Sequence, residues 1–210
     1  MRRLATLLAG AAILVGLTQF ASASLILQIQ MGGVDIRYDG TNIVSAGASA
    51  PDPLTNATFL VDHALVGADT TGVTLGLSIP GVFNIPVSGG QVSSAANGSL
   101  DLDLGGGEFL SLTLDSATVS YIPVFSTVYF VFLGSAATID GQQLPYGLTL
   151  GDPVSVSFST QMMAPITQSG GFVSSFLAAG TGEIQGVPEP ATLSLLALGG
   201  LAMLRRRKSA

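Results

Sequence analysis

Asp101-Leu102-Asp103, followed by Glu108, is where this chain comes nearest to a reactive constellation. On an extended strand the two aspartates fall on one face, about 7 Å apart, and Glu108 stands just across the Gly105-Gly106-Gly107 turn. Three carboxylates converging on a hairpin would suit Ca²⁺, a hard cation that takes six to eight oxygen ligands. Calcium is the one cofactor these residues suggest. The same spacing could in principle serve as an acid and base pair for sugar hydrolysis. Both readings meet the same objection. The Asp-x-Asp here lacks the third ligand and downstream Glu of a calcium loop, and alternating Asp is also what a solvated strand face looks like.

The remaining candidates are sparser. Asp35 and Asp39 flank Arg37 on an extended stretch, so period two points all three one way and predicts a local surface ion pair of small energetic value. His63, the sole histidine, follows Asp62 in an apolar run from Phe59 to Val66. Alternation along a strand would aim the two apart, which excludes an acid–base pair from adjacent positions. No H-E-x-x-H, P-loop, G-x-S-x-G elbow or cysteine site is present, and Gly180-Thr181-Gly182 with Gly186 misses the dinucleotide fingerprint. No catalytic residue is assigned, and a non-enzymatic protein is expected. The alternative expectation is a carbohydrate-binding module, with or without calcium, in which Phe109 and Tyr121 near the Asp101 hairpin are the aromatics placed to stack on sugar rings.

The elements that must carry these residues are strands. Val73 to Ile79, Ser99 to Leu104, Leu110 to Asp115 and Val154 to Thr160 alternate apolar with small or polar residues, which puts each apolar set on one buried face. Val128 to Leu133 is apolar at every position and reads as a central strand covered on both sides. Gly- and Pro-containing breaks recur at Gly32-Gly33, Gly89-Gly90, Gly105 to Gly107, Asp140-Gly141, Gly151-Asp152-Pro153 and Gly170-Gly171. Short strands between such turns predict an all-β fold, an antiparallel β-sandwich or jelly-roll-like body. Thr41 to Thr58, rich in Ser, Ala, Gly, Asn and Pro, reads as one long loop with a turn at Pro51-Asp52-Pro53. Phe172 to Ala179 would pass for a helix, though strand fits as well.

Charge narrows the partners. Residues 24–186 contain ten Asp and two Glu against the single base Arg37, a net charge of −11. Such a body repels nucleic acid and anionic headgroups and suits a neutral or cation-rich polysaccharide setting. Cysteine is absent, so disulfides contribute nothing to an exported fold.

Export is written at both ends. Met1-Arg2-Arg3, an apolar run from Leu4 to Leu17 and the small-residue site Ala21-Ser22-Ala23 make a secretory signal peptide over residues 1–23, cleaved before Ser24. Its partners would be the Sec translocon and signal peptidase. The exported β-rich domain would span 24–186. The last segment, 187–210, holds Val187-Pro188-Glu189-Pro190, an apolar run over 191–204 and the basic cluster Arg205, Arg206, Arg207 and Lys208. As a helix the run is about 21 Å long against a hydrocarbon core of about 30 Å. Snorkelling cations at its far edge compensate for that, and the positive-inside bias sets the C-terminus in the cytoplasm.

That tail resembles the PEP-CTERM sorting signal of Gram-negative bacteria, which is also named after the C-terminus of an ice-binding protein. The resemblance covers about 24 residues and implies a route: an inner-membrane-anchored intermediate with its body in the periplasm, cut near Pro-Glu-Pro by an exosortase. The processed protein would then move to the cell surface or the exopolysaccharide matrix, where the body would serve a structural or adhesive role. Replacing Pro188-Glu189-Pro190 with alanines should leave full-length protein in the inner-membrane fraction, and normal processing on an immunoblot would contradict the sorting assignment.

Overall fold

The computed structural model describes residues 26–45 and 52–187. The strands are β1 Leu27–Tyr38, β2 Ile43–Ser45, β3 Asp52–Pro53, β4 Asn56–Val61, β5 Ala64–Asp69, β6 Thr74–Ile79 and β7 Gly90–Ser93, followed by β8 Gly98–Gly105, β9 Glu108–Leu114, β10 Thr118–Ile122, β11 Thr127–Gln143, β12 Gly151–Met162, β13 Thr167–Ser169 and β14 Phe172–Val187. Two single 3₁₀ turns, Pro123–Phe125 and Pro145–Gly147, are the only helical elements among the described residues. The body is all-β and antiparallel throughout, as the alternation predicts, and Phe172 to Ala179 is strand.

The sheet closes on itself. From β1 the hydrogen-bonded order runs β14, β12, β11, β9, β8, β6 and β2 and returns to β1, so the two faces of the expected sandwich are continuous around their edges. The seam between first and last strands is long, from Leu27↔Gly186 to Tyr38↔Phe176. Leu27, Ile29, Ile36, Leu75, Leu100, Leu112, Val156 and Ile184 all point into one core. Tyr38 reaches the far end of that core, where its ring meets Phe176 at 5.2 Å and its hydroxyl donates to the Val82 carbonyl at 2.8 Å. Both ends of the described body emerge together at the opposite end, beside the Leu27↔Gly186 pair.

The segment over 41–58 departs from the expected loop, since β2, β3 and the start of β4 lie in it. Its strands are short. β2 contributes two residue pairs to β6 and β3 another two, and polar side chains complete the ladder. β1 changes partner from β4 over 27–32 to β2 over 36–38, and in the gap the Asp35 N–H donates to Asp52 Oδ2 at 2.7 Å. Likewise Leu77 N–H donates to Ser45 Oγ at 3.3 Å and Gly81 N–H to Asn42 Oδ1 at 3.4 Å. Asx and Ser residues that look like loop composition are here the acceptors for backbone donors that no strand reaches.

Asp52 is 4 % exposed. Burial pushes its carboxyl up, the Asp35 N–H bond opposes that rise, and the Asp35 charge adds to it. A raised folded pKa favours the fold below the ordinary aspartate range, and that contribution is lost as pH climbs through the folded value. Asp52→Asn keeps an acceptor and cannot ionise, so it should raise the unfolding midpoint at pH 7, with the gain vanishing below about pH 4. Asp52→Ala orphans the Asp35 N–H and should cost about 1–3 kcal/mol in thermal denaturation.

Candidate functional site

On β8, Asp101 and Asp103 are exposed on the outer face, as alternation requires. The hairpin register, however, sets Glu108 opposite neither aspartate. Ser111 stands opposite Asp101, Phe109 opposite Asp103 and Glu108 opposite Gly105. Ser111 Oγ donates to Asp101 Oδ1 at 2.6 Å, and the Gly105 N–H donates to Asp103 Oδ1 at 2.9 Å. Among the described residues no three His, Cys, Asp or Glu side chains are grouped so as to hold a metal. Of the two aromatics expected beside the hairpin, Phe109 is 41 % exposed, whereas Tyr121 is 6 % exposed and turned into the core. The parity of β10, with Val119 and Tyr121 inward, decides this.

His63 and Asp62 occupy the two-residue turn between β4 and β5, both at positive φ, 64° and 49°. The expected strand from Phe59 to Val66 is therefore a hairpin, and the turn is of the kind that matches the twist of its flanking strands. Asp62 Oδ1 accepts the Ile26 N–H at 2.9 Å. Around Arg37, the expected ion pair gives way to other partners. Asp39 Oδ1 accepts the N–H groups of Thr41 and Asn42 at 2.9 and 2.7 Å. The Asn42 N–H bond is the main cause of its lowered pKa, and the Arg37 charge adds a smaller pull in the same direction.

A groove that sequence reading missed lies across the outer face of β4, β1, β14, β12 and β11. Its volume is ≈ 600 Å³. Five adjacent strands span about 19 Å at their usual spacing, room for several sugar rings. The register lines up Thr58, Gln30, Glu183 and Ser157 in one cross-strand row, and Asn56, Gly32, Thr181, Ser159 and Tyr129 in the next. Met31 and Phe158, both buried, contribute to the floor. Gly32 helps to form the hollow, since a Cβ there would fall on Asn56 Oδ1.

The groove is nearly uncharged, with hydroxyl and amide groups set among apolar surface. Glu183 is the one ionisable carboxylate of its lining. Its Oε1 accepts from Gln28 Nε2 at 3.0 Å and Gln185 Nε2 at 2.8 Å, which orients the group. Tyr129, 38 % exposed, supplies an aromatic ring at the β11 margin. It belongs to the stretch expected to be covered on both sides, and it is the outward partner of buried Val128. Hydroxyls, amides, one carboxylate and an aromatic edge can hydrogen-bond to and stack on a neutral polyhydroxylated chain.

The sorting tail leaves the barrel without a spacer. Val187 is still paired to Gly151 as the last residue of β14. Pro188, Glu189 and Pro190, Arg205 to Lys208, the apolar run and the signal-cleavage residues Ala21, Ala23 and Ser24 lie outside the described residues. No helix among the described residues is long and apolar enough to cross a membrane. The family model of the PEP-CTERM protein-sorting motif matches residues 186–208. This motif indicates an exported protein that an exosortase processes from a membrane-anchored sorting intermediate. No curated protein and no solved structure matches the chain.

The separated carboxylates make a thermal test of the acidic hairpin direct. The unfolding midpoint of the detergent-solubilised chain should be the same in millimolar Ca²⁺ as in chelator. A site filled at 100 times its dissociation constant would instead add about 2.7 kcal/mol.

Proposed function

We propose that this PEP-CTERM-tailed barrel is a non-enzymatic adhesive component of the cell surface or exopolysaccharide matrix that holds polysaccharide in the groove across β4, β1, β14, β12 and β11. The observation carrying this reading is the cross-strand array of Thr58, Gln30, Glu183, Ser157, Ser159 and Tyr129, which offers donors, acceptors and one ring on a concave surface. The composition agrees with it. A body with net charge −11 repels polyanions and anionic membranes over most of its surface, while a neutral chain meets no such barrier.

The lining supports a reading of binding without turnover. Glycosidic hydrolysis by the common routes uses two carboxyl groups about 5–9.5 Å apart, one on each side of the scissile bond. Glu183 is the sole carboxyl in this groove, and the amides of Gln28 and Gln185 hold it in place. Its role is to accept a hydrogen bond from a sugar hydroxyl. Adhesion then arises from many weak contacts along a polymer.

Affinity electrophoresis through gels containing exopolysaccharide from the exporting cells tests this reading. Wild type should be retarded, and Tyr129→Ala should weaken retardation about tenfold, a loss of about 1.4 kcal/mol. Retardation unaffected by Tyr129→Ala, or reducing ends released from the polymer, would overturn the binding assignment.

A further inference from the structure

Arg37 is the one Lys or Arg between Leu4 and Leu204. It lies on β1 opposite Leu177 of β14 and Val44 of β2, in a cleft of ≈ 560 Å³ roofed by Ala164 and Pro165 and bordered by Ser175 and Asp39. Its side chain is half-buried, and its Nε is out of solvent with no hydrogen-bond partner. No carboxylate of the described residues forms a salt bridge with it. Asp39 is near enough to feel the charge, but its Oδ1 is engaged by the turn at Thr41 and Asn42. A half-buried guanidinium whose Nε has no acceptor is a costly arrangement for a body otherwise free of cations.

The place of this cleft matters as much as its charge. Outward positions along β14 run Glu183, Thr181, Ala179 and Leu177, paired with Gln30, Gly32, Asp35 and Arg37 of β1, and end at Ser175 beyond the pairing. The polar groove occupies the first half of this strip and the Arg37 cleft the second. Thr181 and Leu177 are four residues apart, about 13 Å along the strand. A polysaccharide seated in the groove and continuing along β1 and β14 would bring a later residue over the guanidinium.

We propose that the Arg37 cleft is a carboxylate-reading subsite that takes the acid group of a uronic acid in the same polysaccharide. The inference rests on the groove reading above. A planar carboxylate would supply the acceptor that the guanidinium lacks and pair with it in charge-assisted hydrogen bonds. The Ser175 hydroxyl and the apolar side of Leu177 would face the sugar ring. Asp39, ionised because its pKa is held low, borders the same cleft and repels closely spaced acids. The subsite therefore selects a mostly neutral chain with isolated carboxylates over a dense polyanion.

The test uses the full chain in detergent with two forms of one polymer: exopolysaccharide from the exporting cells, and the same material after carbodiimide and borohydride treatment has reduced its carboxylates to alcohols. Wild type should bind the native form about tenfold more tightly, as expected for hydrogen bonds to a charged group. That preference should shrink in 1 M salt, where the screening length falls to about 3 Å. Arg37→Gln should bind both forms equally, at the affinity wild type has for the reduced one. Arg37→Lys, which keeps charge without the fork, should keep part of the preference and serves if the Gln variant unfolds. Equal binding of both forms by wild type, or discrimination surviving in Arg37→Gln, overturns the subsite and leaves the groove standing. Discrimination that depends on Arg37 but is untouched by Tyr129→Ala overturns the groove reading alone.

Discussion

Pairing of the first strand with the last governs everything else in this molecule. β1 and β14 are hydrogen-bonded from Leu27↔Gly186 to Tyr38↔Phe176, and no ring exists until that pairing forms. Its contacts join the two ends of the described body, so closure must wait until the last strand is available to pair. The groove and the Arg37 cleft both straddle this seam, because each takes side chains from β1 and β14 together. Groove, cleft and closed barrel therefore form in one event. The approach is close: a Cβ on Gly180 would fall on the Ser159 carbonyl oxygen and within 2.7 Å of Thr160 Cα, so β14 is glycine where it must nest against β12.

Closure on the other side of β1 is thinner and relies on different chemistry. β2 and β3 supply only a few ladder pairs, and Asp52, Ser45 and Asn42 accept the backbone donors left over. Buried donors must find acceptors of some kind, and short polar side chains serve where strand geometry cannot reach. A cysteine-free exported protein has no covalent clamp for such a joint. The energetic burden therefore falls on the continuous apolar core and on side-chain bonds such as the one from Asp35 N–H to Asp52.

Charge is distributed to match. Asp101, Asp103 and Asp140 sit on or beside the β8, β9 and β11 surface, where Ser111, Thr113 and the Gly105 N–H satisfy them. The seam face carries amides and hydroxyls, with Glu183 held by two glutamines and Arg37 alone in its cleft. The acidic hairpin thus lies apart from a seam face on which amides and hydroxyls outnumber charges. The matched sorting motif begins at Gly186, and Val187, the last residue of β14, is still paired with Gly151.

Local pattern alone determined the route, the fold class and the inward-facing residues. Signal, tail and alternation are short-range features, and period two assigns a face without knowledge of the neighbouring strand. Ser157 and Ser159 were legible as outward positions in this way. That they stand beside Thr181, Glu183, Gln30 and Tyr129 was not, because register between strands far apart in sequence is set by how the ring closes. The same limit explains the other departures. Asp101, Asp103 and Glu108 look convergent along the chain, yet the β8–β9 register sets Ser111 and Phe109 opposite the aspartates. Asp62-His63 reads as strand until two positive φ angles make it a turn, and 41–58 reads as loop because its polar side chains act in place of a ladder. Arg37 appeared to have two carboxylate partners by spacing, and only the tertiary structure turned Asp39 Oδ1 to the Thr41 and Asn42 N–H groups and left the Arg37 Nε without an acceptor.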